Sequence, residues 1–219
     1  MEIIASFGPK VAKYKLTNQE IDSLFKICVP KKQEDYSNSL VGFISEEINI
    51  FDNLKKLDVF KTINNNMEDY LQKVDSGFWT DSIKSKELNN YLKCTESWYN
   101  KQVKHEFNPI HNHILNADLV CVIYPKIKLD PDVTYYNTNA KDNQVGQLNF
   151  NFGETEKNGF GLHSLTVNPE EGDMYVFPSS LKHFTYPVLG ESERYSISCN
   201  YKFTSLARRL FTSSGFSYK

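Results

Sequence analysis

Residues 194–203 read RYSISCNYKF, and polar and apolar side chains alternate along the whole stretch. Because successive residues of a β-strand point to opposite faces of a sheet, this stretch predicts a strand with one polar and one apolar face. The alternation alone is typical of an antiparallel strand whose polar face meets water. It also fits a strand whose polar face lines a cavity. In that case Arg194 would hold a carboxylate through two charge-assisted hydrogen bonds, and Ser196 would add a hydroxyl on the same side.

The rest of the second half of the chain carries similar short strand signals separated by turns. Turn residues such as Asn108-Pro109 and Glu171-Gly172-Asp173 lie between them. Many short strands at this spacing indicate a β-sandwich or barrel rather than a parallel α/β sheet. With one further strand near the N-terminus, the candidate strands are residues 3–7, 97–104, 117–124, 146–152, 165–167, 174–177 and 194–203.

The first half of the chain carries helical patterns. Residues 17–28 have apolar side chains at helical spacing behind a capping residue, Thr17, and residues 53–74 repeat apolar side chains with a period of 3.6. We therefore expect residues 1–96 to form a mainly helical N-terminal extension. It is expected to pack on a β core formed by residues 97–219, so that the whole chain is a single domain.

Length and charge exclude several classes of protein. The chain has 219 residues, with 25 Lys and Arg against 27 Asp and Glu, and its formal net charge is −2. This balance argues against a protein that binds nucleic acid through attraction to phosphates. No apolar stretch approaches the roughly 18 residues that a membrane-spanning helix needs. The N-terminus also lacks the basic and apolar regions of an export signal.

The four cysteines, Cys28, Cys94, Cys121 and Cys199, are widely scattered. Since no two of them form a Cys-x-x-Cys pair, a zinc ribbon and a thioredoxin-type redox motif are both excluded. Scattered thiols in a chain without an export signal predict a reducing, cytoplasmic environment.

All five histidines lie between positions 105 and 183. His111 and His113 are separated by one residue, so on an extended segment both imidazoles would project from the same face and could reach one metal ion. Two surface polar residues in a turn are the alternative. His183 follows an apolar strand and a short Pro-Ser loop, which places its imidazole at the start of the next strand. A lone histidine in such a position is usually a hydrogen-bonded structural residue.

These signals form an ordered set along the chain. A His-x-His pair is followed by a third histidine 70 positions after His113, and an Arg-x-Ser unit begins 11 positions after that. This order resembles the prolyl-hydroxylase-like members of the iron(II)- and 2-oxoglutarate-dependent oxygenase superfamily. The sequences of residues 106–113, 172–183 and 193–200 resemble those of an uncharacterised subgroup of that superfamily, which is common in marine bacteria and in phages of cyanobacteria. The resemblance covers most of residues 97–203.

The resemblance implies an α+β fold, a double-stranded β-helix (jelly roll) with the N-terminal helices packed on one side. It also implies that His111, His113 and His183 hold Fe(II), with no catalytic residue beyond the metal ligands. The wider superfamily uses two histidines and one carboxylate, whereas here a histidine occupies the carboxylate position. Three outcomes are open: His113 ligates the metal, Asp118 replaces it, or water or an anion fills the position. The spacing favours His113.

For the cosubstrate, the resemblance implies that Arg194 and Ser196 anchor the far carboxylate of 2-oxoglutarate. Tyr124, at the end of a neighbouring strand, could donate a further hydrogen bond, although an aromatic residue at the cavity rim is an equal interpretation. The implied reaction is the hydroxylation of an unidentified substrate with release of succinate and CO2. Ascorbate is an additional candidate cofactor.

Two other functions remain open on the residues alone. The first is a non-catalytic jelly roll that acts as a binding or virion-associated protein, since a fold does not establish activity. The second is a three-histidine dioxygenase of the cupin type without 2-oxoglutarate, against which Arg194 and Ser196 argue. The expected partners are a small-molecule cosubstrate and an unknown substrate, without membrane or nucleic acid. The helices offer a surface for a homodimer. The expected location is the cytoplasm, or the host cytoplasm if the chain is phage-encoded.

Overall fold

The computed structural model describes residues 2–5, 8–29, 35–74, 91–133, 145–153 and 163–208. In these residues, three α-helices and ten strands are present together with a short 3₁₀ helix and a helical turn over residues 205–208. The helices are α1 (Asn18–Ile27), α2 (Phe51–Leu54) and α3 (Val59–Val74), and the 3₁₀ helix is Ser37–Ser39. The strands are β1 (Glu2–Ala5), β2 (Val11–Lys15), β3 (Glu46–Asn49), β4 (Leu92–Gln102), β5 (Leu119–Lys128), β6 (Leu148–Asn151), β7 (Ser164–Val167), β8 (Asp173–Pro178), β9 (Lys182–Thr185) and β10 (Glu193–Phe203).

The strands form two sheets of different size. The large sheet has the order β1-β2-β8-β5-β10-β4-β3, and the small sheet has the order β7-β6-β9. All strand pairs within them are antiparallel. The chain leaves the large sheet at the end of β8 and enters the small sheet at β9 after three residues, which carries His183 from one sheet to the other.

Each face of the large sheet is covered by a different layer. Apolar residues from α1 and α3 pack on the outer face, where they meet side chains such as Ile197 and Cys199 of β10. The inner face packs on the small sheet through a second apolar cluster that includes Tyr124 of β5 and Phe150 of β6. The predicted α+β double-stranded β-helix with helices on one side is therefore confirmed.

The polar face of β10 is buried rather than exposed to water. Ser196, Ser198 and Asn200 are 6%, 7% and 1% exposed, and all three line a cavity between the sheets. The solvated-face interpretation of the alternating stretch was therefore wrong, and the cavity interpretation describes the inner part of this strand. Only Lys202, near the strand end, points to solvent.

The predicted helix over residues 53–74 is divided into α2 and α3. Leu54 and Val59 are 0% and 3% exposed. In one continuous helix, residues five apart lie about 140° from each other around the axis, so these two side chains could not both face the same core. A turn between the two helices allows both residues to be buried. The first helix, in contrast, begins as predicted, with Thr17 and Glu20 forming a capping box.

The first 96 residues also contribute strands to the large sheet. β1 and β2 extend its edge next to β8, and β3 pairs with β4 at the opposite edge. β4 itself begins at Leu92, before the expected start of the β core. Sequence periodicity did not reveal β2, β3 or β9 because each has only four or five residues, too few to display an alternation. Across the described residues, no helix is long and apolar enough to cross a membrane.

Candidate metal centre and cosubstrate pocket

His111, His113 and His183 lie together, and one donor atom from each lies within 4.8 Å of the others. Backbone hydrogen bonds hold the two chain segments in this position. The N–H of His111 donates to the carbonyl of His183 at 3.0 Å, and the N–H of His183 donates back at 2.9 Å. The N–H of His113 donates to the carbonyl of Ser179 at 2.9 Å. The i, i+2 spacing thus brings both imidazoles to the third one.

Two of the imidazoles are oriented by backbone carbonyls. Nδ1 of His111 lies 2.7 Å from the carbonyl oxygen of Pro109, and Nδ1 of His183 lies 3.0 Å from that of Leu181. A carbonyl can only accept, so Nδ1 carries the proton in each ring and Nε2 keeps its lone pair. This is the tautomer that metal-binding histidines adopt when their outer nitrogen is held by a backbone carbonyl.

The three imidazoles are kept neutral by their surroundings. Burial lowers the pKa of His111, and burial together with repulsion from His111 lowers the pKa of His113 to about 3. Burial and the two neighbouring imidazoles lower the pKa of His183 well below its ordinary value. Since metal ions bind the deprotonated ring, the cluster is ready to accept a cation near neutral pH.

Aromatic rings surround the histidines. Trp98 of β4 stacks on His113, with ring centroids 5.9 Å apart and an angle of 29° between the planes. Phe177 of β8 meets His183 edge-on at 4.8 Å. These contacts restrict the rotation of the imidazoles and shield one side of the cluster from water. Both are supplied by the large sheet.

Asp118, the alternative third ligand, is engaged elsewhere. Its carboxylate accepts a hydrogen bond from the N–H of Phe203 at 2.7 Å and ion-pairs with Arg208, whose Nη2 lies 2.7 Å from Oδ2. It is not part of the group of donor atoms formed by the three histidines. The carboxylate therefore joins the start of β5 to the end of β10, and the geometry does not support it as a metal ligand.

A cavity of about 410 Å³ opens beside the three histidines. Its walls come from both sheets and from the segment that precedes β3. The described residues that line it are Tyr36, Leu40, Val41, Glu47, Glu96, Trp98, Asn100, Asn108, His111, Asn112, His113, Ile114, Leu115, Asn116, Val122, Tyr124, Leu148, His183, Thr185, Ser196, Ser198 and Asn200.

Arg194 is 2% exposed and is not among the described residues that line this cavity. Its guanidinium donates hydrogen bonds to the side-chain oxygen of Gln102 and to the carbonyl of Gly146. Its Cζ lies 5.5 Å from the centre of the Tyr124 ring. The side chain is thus directed into the protein and held between the two sheets, and Ser196, two residues further along β10, lines the cavity.

The hydroxyl of Tyr124 is buried and has no hydrogen-bond partner among the residues that the structure describes. Burial raises the pKa of this phenol to about 12, so the group keeps its proton and remains a donor. A buried hydroxyl without a partner costs free energy, which a bound acceptor would recover. Tyr124 lines the cavity, and its position fits a hydrogen-bond donor to a ligand there.

Several cavity residues were not identified from the sequence. Glu47 lies on β3, whose four residues carry no periodic signal. Glu96, Trp98 and Asn100 share one face of β4. The alternation along the predicted strand 97–104 could have placed Trp98 and Asn100 beside the polar face of β10. Asn100 is in fact opposite Ser196, and Trp98 is opposite Ser198.

Known proteins resemble this chain in sequence motif and in fold. The sequence model of a family described as "Putative 2OG-Fe(II) oxygenase" matches residues 96–200. A prolyl-4-hydroxylase from Pseudomonas putida superposes with a TM-score of 0.54 at 15% identity, covering 87% of this chain and 91% of that one. HygX from Streptomyces hygroscopicus, solved with nickel and 2-oxoglutarate bound, gives 0.54 at 12% identity, covering 89% and 82%. A search of curated proteins finds no match.

At these identities the structural likeness establishes the fold. Together, the fold and the histidine cluster define a double-stranded β-helix protein equipped for metal chemistry. The match of the family model to residues 96–200 is more specific. Residues 96–200, which contain the three histidines and Arg194, thus match the iron(II)- and 2-oxoglutarate-dependent oxygenases, which are oxidoreductases. The resemblance recognised in the sequence motifs is confirmed.

Proposed function

We propose that this oxygenase binds Fe(II) through His111, His113 and His183 and hydroxylates a substrate that enters the cavity beside them. The observation that carries the proposal is the convergence of three neutral imidazoles at one end of a cavity that also contains Ser196 and Tyr124. Imidazole nitrogen is a suitable ligand for iron. Bound iron and 2-oxoglutarate supply the oxidising chemistry: O2 and 2-oxoglutarate are converted to succinate and CO2, and one oxygen atom enters a substrate C–H bond.

The role of the protein in this reaction is to hold the metal-binding imidazoles in a fixed orientation. Pro109 and Leu181 accept the Nδ1 protons of His111 and His183, which directs Nε2 of each ring toward the shared position. The stacked Trp98 limits the rotation of His113. Such outer contacts commonly change metal affinity by about 10- to 100-fold when they are removed.

Arg194, Ser196 and Tyr124 are proposed to bind the far carboxylate of 2-oxoglutarate. An arginine remains charged when buried, and its planar fork matches the geometry of a carboxylate. Each terminal nitrogen of the guanidinium donates one hydrogen bond, Nη1 to the carbonyl of Gly146 and Nη2 to the side chain of Gln102, which fixes the direction of the group before the cosubstrate arrives. The buried hydroxyl of Tyr124 would then gain the acceptor that it lacks.

A centre with three neutral ligands keeps the full double charge of the metal, whereas a carboxylate ligand would reduce it to one. A dianionic cosubstrate would be the group that lowers this charge. The third histidine also gives some support to a three-histidine dioxygenase that does not use 2-oxoglutarate. Buried Arg194 favours the 2-oxoglutarate-dependent reaction, because a cosubstrate carboxylate gives this charge a role.

The proposal is tested by titrating the protein with Fe(II) under anaerobic conditions, then with 2-oxoglutarate, and by measuring succinate after oxygen is admitted. We expect His111→Asn to abolish metal binding. The matched control is His105→Asn at an exposed histidine whose positive φ of 70° asparagine tolerates. Metal binding without affinity for 2-oxoglutarate would indicate the three-histidine alternative. Absence of metal binding would indicate a non-catalytic jelly roll.

We also propose that the protein works in a reducing compartment such as the cytoplasm. All four cysteines are free thiols, and three of them are buried. Disulfides are rare in cytosolic proteins, which is consistent with this arrangement. Retention of four free thiols in protein purified without reductant, measured by thiol titration, would support the assignment.

A further inference from the structure

One part of the cavity wall is formed by acidic and aromatic residues rather than by the histidines. Tyr36, Glu47, Glu96, Trp98 and Asn200 line this part, which we call the acidic wall. It is built on β3, β4 and β10 and on the segment before β3. Apart from Trp98, which stacks on His113, none of these residues has a role in metal or cosubstrate binding as proposed above.

Glu47 is the most unusual member of the acidic wall. Its residue is 1% exposed, and Oε2 is buried with no hydrogen-bond partner among the described residues. Oε1 accepts a hydrogen bond of 3.3 Å from the amide nitrogen of Asn100, in the amide orientation that satisfies the hydrogen bonds of Asn100. A buried carboxylate oxygen without a donor is costly, so Oε2 is suited to accept a hydrogen bond from a ligand.

Asn200 offers a second free acceptor in the same wall. Its Nδ2 donates to Oε2 of Glu96 at 2.7 Å, which fixes the orientation of the amide. Its Oδ1 is buried and has no partner in the described part of the chain. Two buried acceptors that both lack a donor indicate a ligand that donates hydrogen bonds.

The aromatic members add a preference for positive charge. The rings of Tyr36 and Trp98 lie with centroids 5.9 Å apart at an angle of 39°. Aromatic rings next to carboxylates form the usual environment for an ammonium cation, because the ring face and the carboxylate both attract it. None of the described lining residues is Lys or Arg.

The rim of the same cavity is apolar. Val41, Ile114 and Leu115 line it and are 57%, 60% and 90% exposed. Exposed apolar side chains at the edge of a binding cavity indicate contact with an apolar part of the ligand. A ligand that meets both surfaces needs an apolar stem and a polar end that carries hydrogen-bond donors.

We propose that the acidic wall binds the ammonium group of the substrate, and that the substrate is an amine whose apolar stem lies against the rim. Oε2 of Glu47 accepts a hydrogen bond from the ammonium, and Tyr36 and Trp98 contact it through their ring faces. Oδ1 of Asn200, which lies further along the sheet opposite Glu96, accepts from another donor of the substrate. This inference rests on the proposed function, since the cavity is the one in which the substrate would be oxidised.

The test compares two probes that differ only in charge. The first is Nα-acetyl-lysine N-methylamide, which keeps the side-chain ammonium. The second is the corresponding derivative of 2-aminoheptanoic acid, in which a methyl group replaces the ammonium. Dissociation constants are measured by saturation-transfer NMR on the full chain, both unloaded and loaded with Zn(II) as a diamagnetic substitute for iron. We expect the ammonium probe to bind about tenfold more tightly than the methyl probe. Equal affinities in the unaltered protein would overturn the inference.

Variants locate the effect. In Glu47→Gln, which keeps the size of the side chain and removes its charge, we expect the preference for the ammonium probe to disappear. Glu191→Gln removes the same charge from an exposed residue outside the cavity and should retain the preference. A preference that persists in Glu47→Gln would overturn the assignment to the acidic wall.

The Fe(II) and 2-oxoglutarate titrations, made without either probe, separate the two proposals. If metal and cosubstrate bind but the two probes bind equally, only the amine inference fails. If the ammonium preference is present but metal and cosubstrate do not bind, the acidic wall is supported and the oxygenase site is not.

Discussion

His111 and His183 are joined through their main chains, each N–H donating to the other's carbonyl, and their ring centroids lie 4.3 Å apart. The pairing links the segment after Pro109 to the first residues of β9. Since both hydrogen bonds involve only backbone atoms, the strand pairing places the two backbone segments side by side, and the Nδ1 contacts with Pro109 and Leu181 then orient the rings. Substitution of either side chain should therefore change ligand binding much more than folding.

His113→Asp should keep the metal. Aspartate at this position restores the two-histidine, one-carboxylate set of the wider superfamily, and its charge offsets the loss of one nitrogen ligand. His113→Ala, which removes the ligand, should weaken Fe(II) binding by at least about tenfold. Calorimetric titration with Fe(II) under anaerobic conditions measures both. Equal Fe(II) affinities for the alanine variant and the parent protein would show that His113 is not a ligand.

Arg194→Lys should weaken 2-oxoglutarate binding by about tenfold or more and leave Fe(II) affinity unchanged. A lysine carries the charge but cannot form two parallel hydrogen bonds with a carboxylate. The control is Arg208→Lys, at an exposed arginine that pairs with Asp118. The measurement is a 2-oxoglutarate titration of the metal-loaded proteins. If both variants bind 2-oxoglutarate like the parent, Arg194 does not hold the cosubstrate.

Tyr124→Phe should separate binding from stability. Its hydroxyl has no partner in the described residues, so its removal should not destabilise the fold and should increase the free energy of unfolding by up to about 1 kcal/mol. The same change should weaken 2-oxoglutarate binding several-fold. Urea unfolding and the cosubstrate titration report the two effects. A stability loss with unchanged 2-oxoglutarate affinity would assign Tyr124 to the core alone.

Asp118→Asn should lower stability and leave the metal site intact. The substitution removes the charge that pairs with Arg208 and weakens the hydrogen bond from the N–H of Phe203. A loss of about 1 kcal/mol is expected, because a charged acceptor is replaced by a neutral one. Thermal unfolding and Fe(II) titration are the two measurements. A large drop in Fe(II) affinity would restore Asp118 as a candidate ligand.

Glu47→Gln should change stability in a pH-dependent way. Burial, with repulsion from Asp35 and Glu106, raises the pKa of Glu47 from 4.5 to about 7. Between these pH values the folded protein holds a proton that the unfolded chain has lost, so the contribution of this group to stability falls as pH rises through the window. Glutamine is neutral throughout. The variant should therefore match the parent below pH 4.5 and exceed it by the order of 2 kcal/mol above pH 7, since one pKa unit corresponds to about 1.4 kcal/mol.

The check is chemical unfolding across this pH range, with Glu191→Gln as the control. A constant difference between Glu47→Gln and the parent at all pH values would contradict the assignment. The stability of Glu47→Gln also serves as a control for the binding of the ammonium probe. A variant that is more stable than the parent at neutral pH but binds the ammonium probe less tightly cannot owe its weaker binding to unfolding.

The features that could be predicted from the sequence depend on neighbouring residues. The alternation of residues 194–203 predicts a strand, Thr17 predicts the start of α1, and the spacing of His111 and His113 places two rings on one side of an extended segment. Each of these follows from local backbone geometry, which a few consecutive residues determine. Family motifs then supplied the fold class and the third histidine.

The tertiary structure alone decided which distant segments meet. β3 pairs with β4, and this brings Glu47 opposite Asn100 and into the cavity. The crossing from β8 to β9 carries His183 to the small sheet, where it pairs with His111. These contacts join residues far apart in the chain, and short strands such as β3 and β9 gain their stability from pairing and burial rather than from their own composition. The acidic wall could not be predicted from local sequence because its residues come from three strands and one loop that meet only in the folded chain.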